Sequence, residues 1–102
     1  MDKSDVITLI TQSRTQNDYG VWESTETTSD IYAQVESVSQ SEFFEGGRNG
    51  LNPAYKFIVY AFEYNGETII SYNNERFSVY RTYRTKTDML ELYVERKGGT
   101  NG

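Results

Sequence analysis

Cysteine and histidine are both absent from the 102 residues, and proline occurs once. Without cysteine the chain has no disulfide, no thiolate metal ligand and no cysteine nucleophile, while compartment stays open. Without histidine it lacks the side chain on which most zinc sites and most neutral-pH proton transfer depend. A carboxylate enzyme would need a deep pocket to shift a pKa, and a chain this short has little room for one. These absences point away from an enzyme and from any metal or cofactor. No apolar run approaches the roughly 20 residues needed to span a membrane, so no membrane partner is expected. The start, Met1-Asp2-Lys3-Ser4-Asp5, is too polar for a signal peptide.

Cations are scarce in the first three quarters. Residues 1–75 hold only Lys3, Arg14, Arg48 and Lys56, whereas the remainder holds Arg76, Arg81, Arg84, Lys86, Arg96 and Lys97 against Asp88, Glu91 and Glu95. The net charge of −5 disfavours binding to phosphate backbones by bulk charge. The uneven distribution is either ordinary surface charge or an acidic–basic contact between neighbouring copies.

Tyrosine, phenylalanine, threonine and valine are abundant, and they come in short runs separated by turn residues. That pattern predicts an all-β domain. Residues 5–12 read as a first strand, 16–20 as a turn, and 21–29 as a polar extended arm or weak edge strand. In 31–38 the alternation puts Ile31, Ala33 and Val35 on one face. Residues 39–54 read as a long loop with a short helical start, because Ser39-Gln40-Ser41-Glu42 has the form of a capping box and Gly46, Gly47 and Gly50 then oppose a long helix. Residues 55–64, apolar on both faces, predict the central strand. Asn65-Gly66 predicts a tight hairpin into a return strand, 67–72. After a turn at 73–75 come a strand at 76–84, with Phe77 and Val79 inward, a turn at 85–88, and a last strand at 89–96 with Leu90, Leu92 and Val94 on the core face. The expected architecture is a small antiparallel β-barrel or sandwich of about six strands. One long loop carries a short helix. The meander closes on itself, so exposed edges are removed. Residues 1–97 make a single domain and 98–102 a flexible tail.

Several residues are candidate sites. Phe43 and Phe44 either anchor the long loop to the core or form an exposed patch that docks on another subunit. Glu42 and Glu45 lack any third group to make them catalytic. Gly46-Gly47-Arg48-Asn49-Gly50 lacks the ending of a phosphate-binding loop, so it reads as flexibility, with Arg48 available to a phosphate or a neighbour's carboxylate. Arg81, Tyr83, Arg84 and Lys86 mix cations with an aromatic. Single-strand binders use that mix on a β face, so an oligonucleotide-binding barrel is the rival reading from a different class. Asp18, Glu63 and Asp88 show no spaced calcium-binding loop.

The segment Ile31-Tyr32-Ala33-Gln34-Val35-Glu36-Ser37-Val38-Ser39-Gln40-Ser41-Glu42-Phe43-Phe44 resembles the signature of the phage head–tail joining family, also described as connector, head-closure or stopper proteins. Asp18-Tyr19-Gly20 with Trp22 resembles the family's first turn and following tryptophan. Residues 55–60 resemble its central strand, 65–79 its late hairpin ending in Phe-x-Val, and Leu90-Glu91-Leu92 with Glu95 its closing strand. The resemblance covers nearly the whole chain through loose motifs in a fixed order. It implies a small β-barrel that assembles with copies of itself in a ring below the portal and its adaptor, and above a tail-completion protein. Such a ring extends the DNA channel without sequence-specific binding. The implied location is the virion head–tail interface, with the host cytoplasm during assembly. A tail-completion or tail-terminator protein of similar fold is the nearest variant of that reading. In some members the loop after the signature reaches into the channel. Here that loop is 39–54, and Phe43, Phe44, Gly46, Gly47 and Arg48 become candidates for facing the channel or a neighbour. Arg81, Arg84 and Lys86 become candidates for subunit contacts. Many members continue after the two aromatics with Ala and Gln, where this chain has Glu45-Gly46-Gly47, so a shortened or missing helical extension is expected. Polar stretches such as 21–29 suit strand addition to a neighbour.

Overall fold

The computed structural model describes residues 5–86 and 88–96 of the chain, the Lys86 side chain excepted. They form strands β1 (Asp5–Gln16) and β2 (Trp22–Ser37), helix α1 (Gln40–Arg48), β3 (Pro53–Tyr60), a 3-10 turn (Ala61–Glu63), then β4 (Ile69–Tyr72), β5 (Glu75–Lys86) and β6 (Met89–Arg96). All strand pairings are antiparallel, and the strands close into a barrel in the order β1-β2-β3-β6-β5-β4. Residues 98–102 lie outside the described residues.

The barrel interior follows from alternation. Ile7 and Leu9 of β1, Ile31 and Ala33 of β2, Phe57 and Val59 of β3, Ile70 of β4, Phe77 of β5, and Leu92 and Val94 of β6 point inward and are buried. Val35, Val79 and Leu90 pack against them, half-buried. Tyr55, Phe57, Tyr72 and Phe77 stack through edges and faces with ring centroids 5.4–6.4 Å apart. Such contacts each contribute about 0.5–1.5 kcal/mol beyond area burial. Among the described residues no polar or charged side chain is buried, so nothing in the interior requires a polar partner.

Several expectations need correction. The strands are not a meander. β3 lies beside β2 and β6, and β4 lies beside β1 and β5, so the chain crosses the end of the barrel between them. Asn65-Gly66 therefore does not turn a hairpin. Gly66 takes φ +87°, but in the crossing segment, and the strands on either side of it are not neighbours. The central strand ends at Tyr60, where the 3-10 turn begins, and the return strand starts only at Ile69. The genuine tight hairpin is Asn73-Asn74, with φ 55° and 65°, joining Tyr72 to its partner Glu75.

The arm expected at 21–29 is the first half of β2 itself. It pairs residue by residue with β1, from Gln16↔Trp22 through Thr11↔Thr27 to Asp5↔Ala33. The interval 11–30 is exposed on both faces apart from half-buried Asn17. β1 and β2 are thus barrel strands at one end and a bare two-stranded ribbon at the other. The long loop carries the expected short helix, nine residues that include Gly46 and Gly47 and end before Gly50.

Candidate functional site

Helix α1 meets the barrel in its first turn, through Glu42, and again near its end, through Gly46. At its start the Ser39 hydroxyl accepts from the Glu42 backbone N–H at 3.1 Å, the first half of the expected capping box. The second half is missing because the Glu42 carboxylate turns to β5. It accepts from the Tyr80 hydroxyl at 2.6 Å and pairs with the Arg81 guanidinium at 2.7 Å. Arg81 in turn lies over the Tyr93 ring, 4.2 Å from its centroid. Burial, and then the Glu42 carboxylate, push the Tyr80 hydroxyl well above the usual phenol range.

At the far end of α1 the Asn49 N–H bonds the Gly46 and Gly47 carbonyls, and the Leu51 N–H also bonds Gly46. Gly50 follows with φ +80°. Gly46 is buried against Pro53, the first residue of β3. A Cβ added there would come within 2.5 Å of the Pro53 ring. Only a residue without a side chain lets the helix approach β3 this closely. A shallow depression of ≈ 330 Å³ lies between α1 and β5, with Glu42, Asn49, Leu51 and Tyr80 in its walls.

The residues expected in the 39–54 loop are now placed. Phe43 and Phe44 do not anchor to the core. They are 47% and 60% exposed, packed edge to face with centroids 5.9 Å apart. Gly46 is a packing residue, whereas Gly47 is exposed with open space around its Cα. Arg48 is exposed and makes a loose pair with Glu45 at 3.8 Å. Of the three cations expected at subunit contacts, Arg81 is engaged within the chain by Glu42. Arg84 is on the exposed part of β5, and the Lys86 side chain lies outside the described residues.

Other cations of the last quarter also meet carboxylates of the same chain. Arg76 grips Glu26 on the ribbon with both terminal nitrogens, at 2.9 and 3.0 Å, and Arg96 pairs with Glu75 at 3.1 Å. The Arg76 hydrogen bonds, with one from Gln12, hold the Glu26 carboxyl down from 4.5 to about 2. Lys56 sits on the outer face between Glu36 at 3.1 Å and Glu91 at 3.8 Å. Partial burial opposes its charge, but the two carboxylates outweigh this and raise its pKa.

Sequence reasoning missed the ribbon tip as an apolar feature. The turn is fixed by the Asn17 side-chain oxygen, which accepts from the Tyr19 and Val21 backbone N–H groups, and by Gly20 at φ +80°. That turn holds out Tyr19 at 90% exposure, with Val21 and Trp22 also exposed and the Arg14 guanidinium 5.8 Å from the Trp22 ring. The available signal was three large side chains next to an Asn-Asp-Tyr-Gly turn in an otherwise polar stretch. Asp18, Glu63 and Asp88 sit on separate elements. Among the described residues no group of three carboxylates could hold a metal ion, and no helix is long and apolar enough to cross a membrane. Compared with models of known protein families and with curated proteins, the sequence matches none.

Proposed function

We propose that this protein is a structural subunit of a tailed-phage virion, forming a ring below the portal and adaptor that joins head to tail and extends or closes the DNA channel. The observation that carries the reading is how the 31–44 segment lies on the barrel. Its alternating half lines the core through Ile31, Ala33 and half-buried Val35, and its end starts a short helix that leaves Phe43 and Phe44 exposed. The resembling segments thus fall on one closed barrel with a helix between β2 and β3.

Two further features support a ring. A head-to-tail contact needs two different patches on each copy, and the Phe43–Phe44 pair and the Tyr19–Val21–Trp22 tip sit on different elements. A net charge of −5, repeated around a channel, keeps the walls from gripping phosphates. The nucleic-acid reading has less support. Arg81, one cation of the cation–aromatic set on β5, is committed to Glu42 of the same chain, and Arg76 and Arg96 outside that set are committed to Glu26 and Glu75.

The test is to mix the purified protein with portal–adaptor complexes and image them by electron microscopy. The expected outcome is an added ring of density on the adaptor side. No added ring, together with tight and steeply salt-dependent binding to single-stranded DNA, would replace this reading with the nucleic-acid one.

A further inference from the structure

Asparagine is followed by glycine at Asn49-Gly50, at Asn65-Gly66 and, outside the described residues, at Asn101-Gly102. Such a pair is chemically distinctive. Glycine has no side chain to keep its own backbone nitrogen away from the asparagine side-chain carbonyl. The other asparagines lack this feature. Asn17, Asn73 and Asn74 precede residues with side chains, and Asn52 precedes Pro53, which has no N–H. The fold treats the two described pairs in opposite ways.

Asn49 is tied down at each group the reaction needs. Its side-chain N–H donates to the Glu45 carbonyl at 3.0 Å, and its backbone N–H donates to the Gly46 carbonyl at 3.0 Å. The Gly50 N–H, the nitrogen that would attack, donates to the Gly47 carbonyl at 3.2 Å. Attack there requires the end of α1 to open. Asn65 lies exposed in the segment that crosses from the 3-10 turn to β4. Its backbone N–H donates to the Glu67 carboxylate at 2.7 Å. Among the described residues, neither its side-chain amide nor the Gly66 N–H has a hydrogen-bond partner. Gly66 is exposed, with φ +87° and open space around its Cα.

We infer that Asn65 is a site of spontaneous deamidation in the folded protein, and that α1 shields Asn49 from the same reaction. The Gly66 backbone nitrogen forms a bond to the Asn65 side-chain carbonyl carbon. The side-chain amide nitrogen takes up the Gly66 N–H proton and leaves as ammonia, and a cyclic imide remains. Water opens the imide at either carbonyl, giving aspartate or isoaspartate at position 65, and the acid proton passes to ammonia as ammonium. No oxidant or reductant is needed. Each event adds one negative charge close to Glu67. The charge falls in a depression of ≈ 280 Å³ that Asn65 and Glu67 share with Ile10, Thr11 and Gln12 at the base of the ribbon. The isoaspartate form also lengthens the backbone of the crossing segment by a methylene.

The test incubates the chain at mildly alkaline pH, folded in one sample and in concentrated urea in the other. Trypsin cleavage after Arg48, Lys56 and Arg76 places the two asparagines on separate peptides. Tandem mass spectrometry then locates each amide-to-acid mass gain over time. In the folded chain, position 65 is expected to convert several-fold faster than position 49. In urea the two should convert at similar rates. Gly46→Ala, whose methyl group meets the Pro53 ring, should speed conversion at position 49 and leave position 65 unchanged. Circular dichroism checks that this variant is folded. No conversion at position 65 in the folded chain, or the same ratio of rates in the folded chain and in urea, would overturn the inference. A folded Gly46→Ala chain with Asn49 no more reactive than in wild type would overturn the shielding by α1.

Discussion

β1 and β2 each belong to two different environments. In residues 5–10 and 31–37 they line a packed barrel, where Ile7, Leu9 and Ala33 are almost without exposure. In residues 11–30 the same two strands continue in the same register with no core on either face. Backbone pairing is unbroken across the boundary, but side-chain burial stops. Two-stranded ribbons are at best marginally stable alone. This one is supported by its continuity with the barrel, by the Asn17 turn and by the Arg76–Glu26 clamp. The barrel half holds the fold together, and the ribbon half presents surface.

The sharpest way to break that division is to truncate one aromatic in each half. Phe57→Ala removes a fully buried ring from the centre of the barrel. It should cost about 3–5 kcal/mol in urea unfolding, a large share of the roughly 5–15 kcal/mol typical of a domain. Trp22→Ser on the ribbon should stay within about 0.5 kcal/mol of wild type while abolishing ring addition to portal–adaptor complexes. Comparable destabilisation by the two substitutions would mean that the ribbon is part of the core after all.

A smaller contrast lies within α1. Gly46→Ala pushes a methyl group into the Pro53 ring and should cost about 1–3 kcal/mol. Gly47→Ala meets open space and should stabilise by about 0.5–1 kcal/mol through helix propensity alone. Thermal unfolding of the pair checks this. Equal shifts would show that the helix is not seated on β3.

The smallest effect is at the clamp between the two halves. Because the folded pKa of Glu26 is depressed, its contribution is fully present above pH 4.5 and is lost as pH falls toward about 2. Acid titrations of wild type and Glu26→Gln, followed by circular dichroism, should converge over that interval. A constant gap down to pH 2 would mean that the Arg76 pair does not couple ribbon to barrel.

The barrel half was legible in the sequence for the same physical reason that it is stable. Ile31, Ala33 and Val35, then Phe77 and Val79, then Leu90, Leu92 and Val94 alternate because one face meets the core, and alternation is a local signal. Pairing partners are not local. Asn65-Gly66 supplies the backbone conformation of a tight turn, but the strands flanking it close onto opposite sides of the barrel, so turn chemistry could not reveal the crossing. Residues 21–29 carried no burial pattern because the ribbon has no buried face, and their continuity with β2 was hidden. In α1 the short helix was legible, but the seat of Gly46 against Pro53 is a contact that only the folded chain makes. The exposure of Phe43 and Phe44 was one of two open readings. The engagement of Arg81 by Glu42, across 39 positions, left no trace in spacing.

The most direct measurement compares the full chain with a variant in which residues 15–24 are replaced by a two-residue turn, both incubated with portal–adaptor complexes and imaged by electron microscopy. The account predicts that both proteins fold, that the full chain adds a ring, and that the shortened one does not. A ring added equally by the shortened chain, or no ring from the full one, would contradict it.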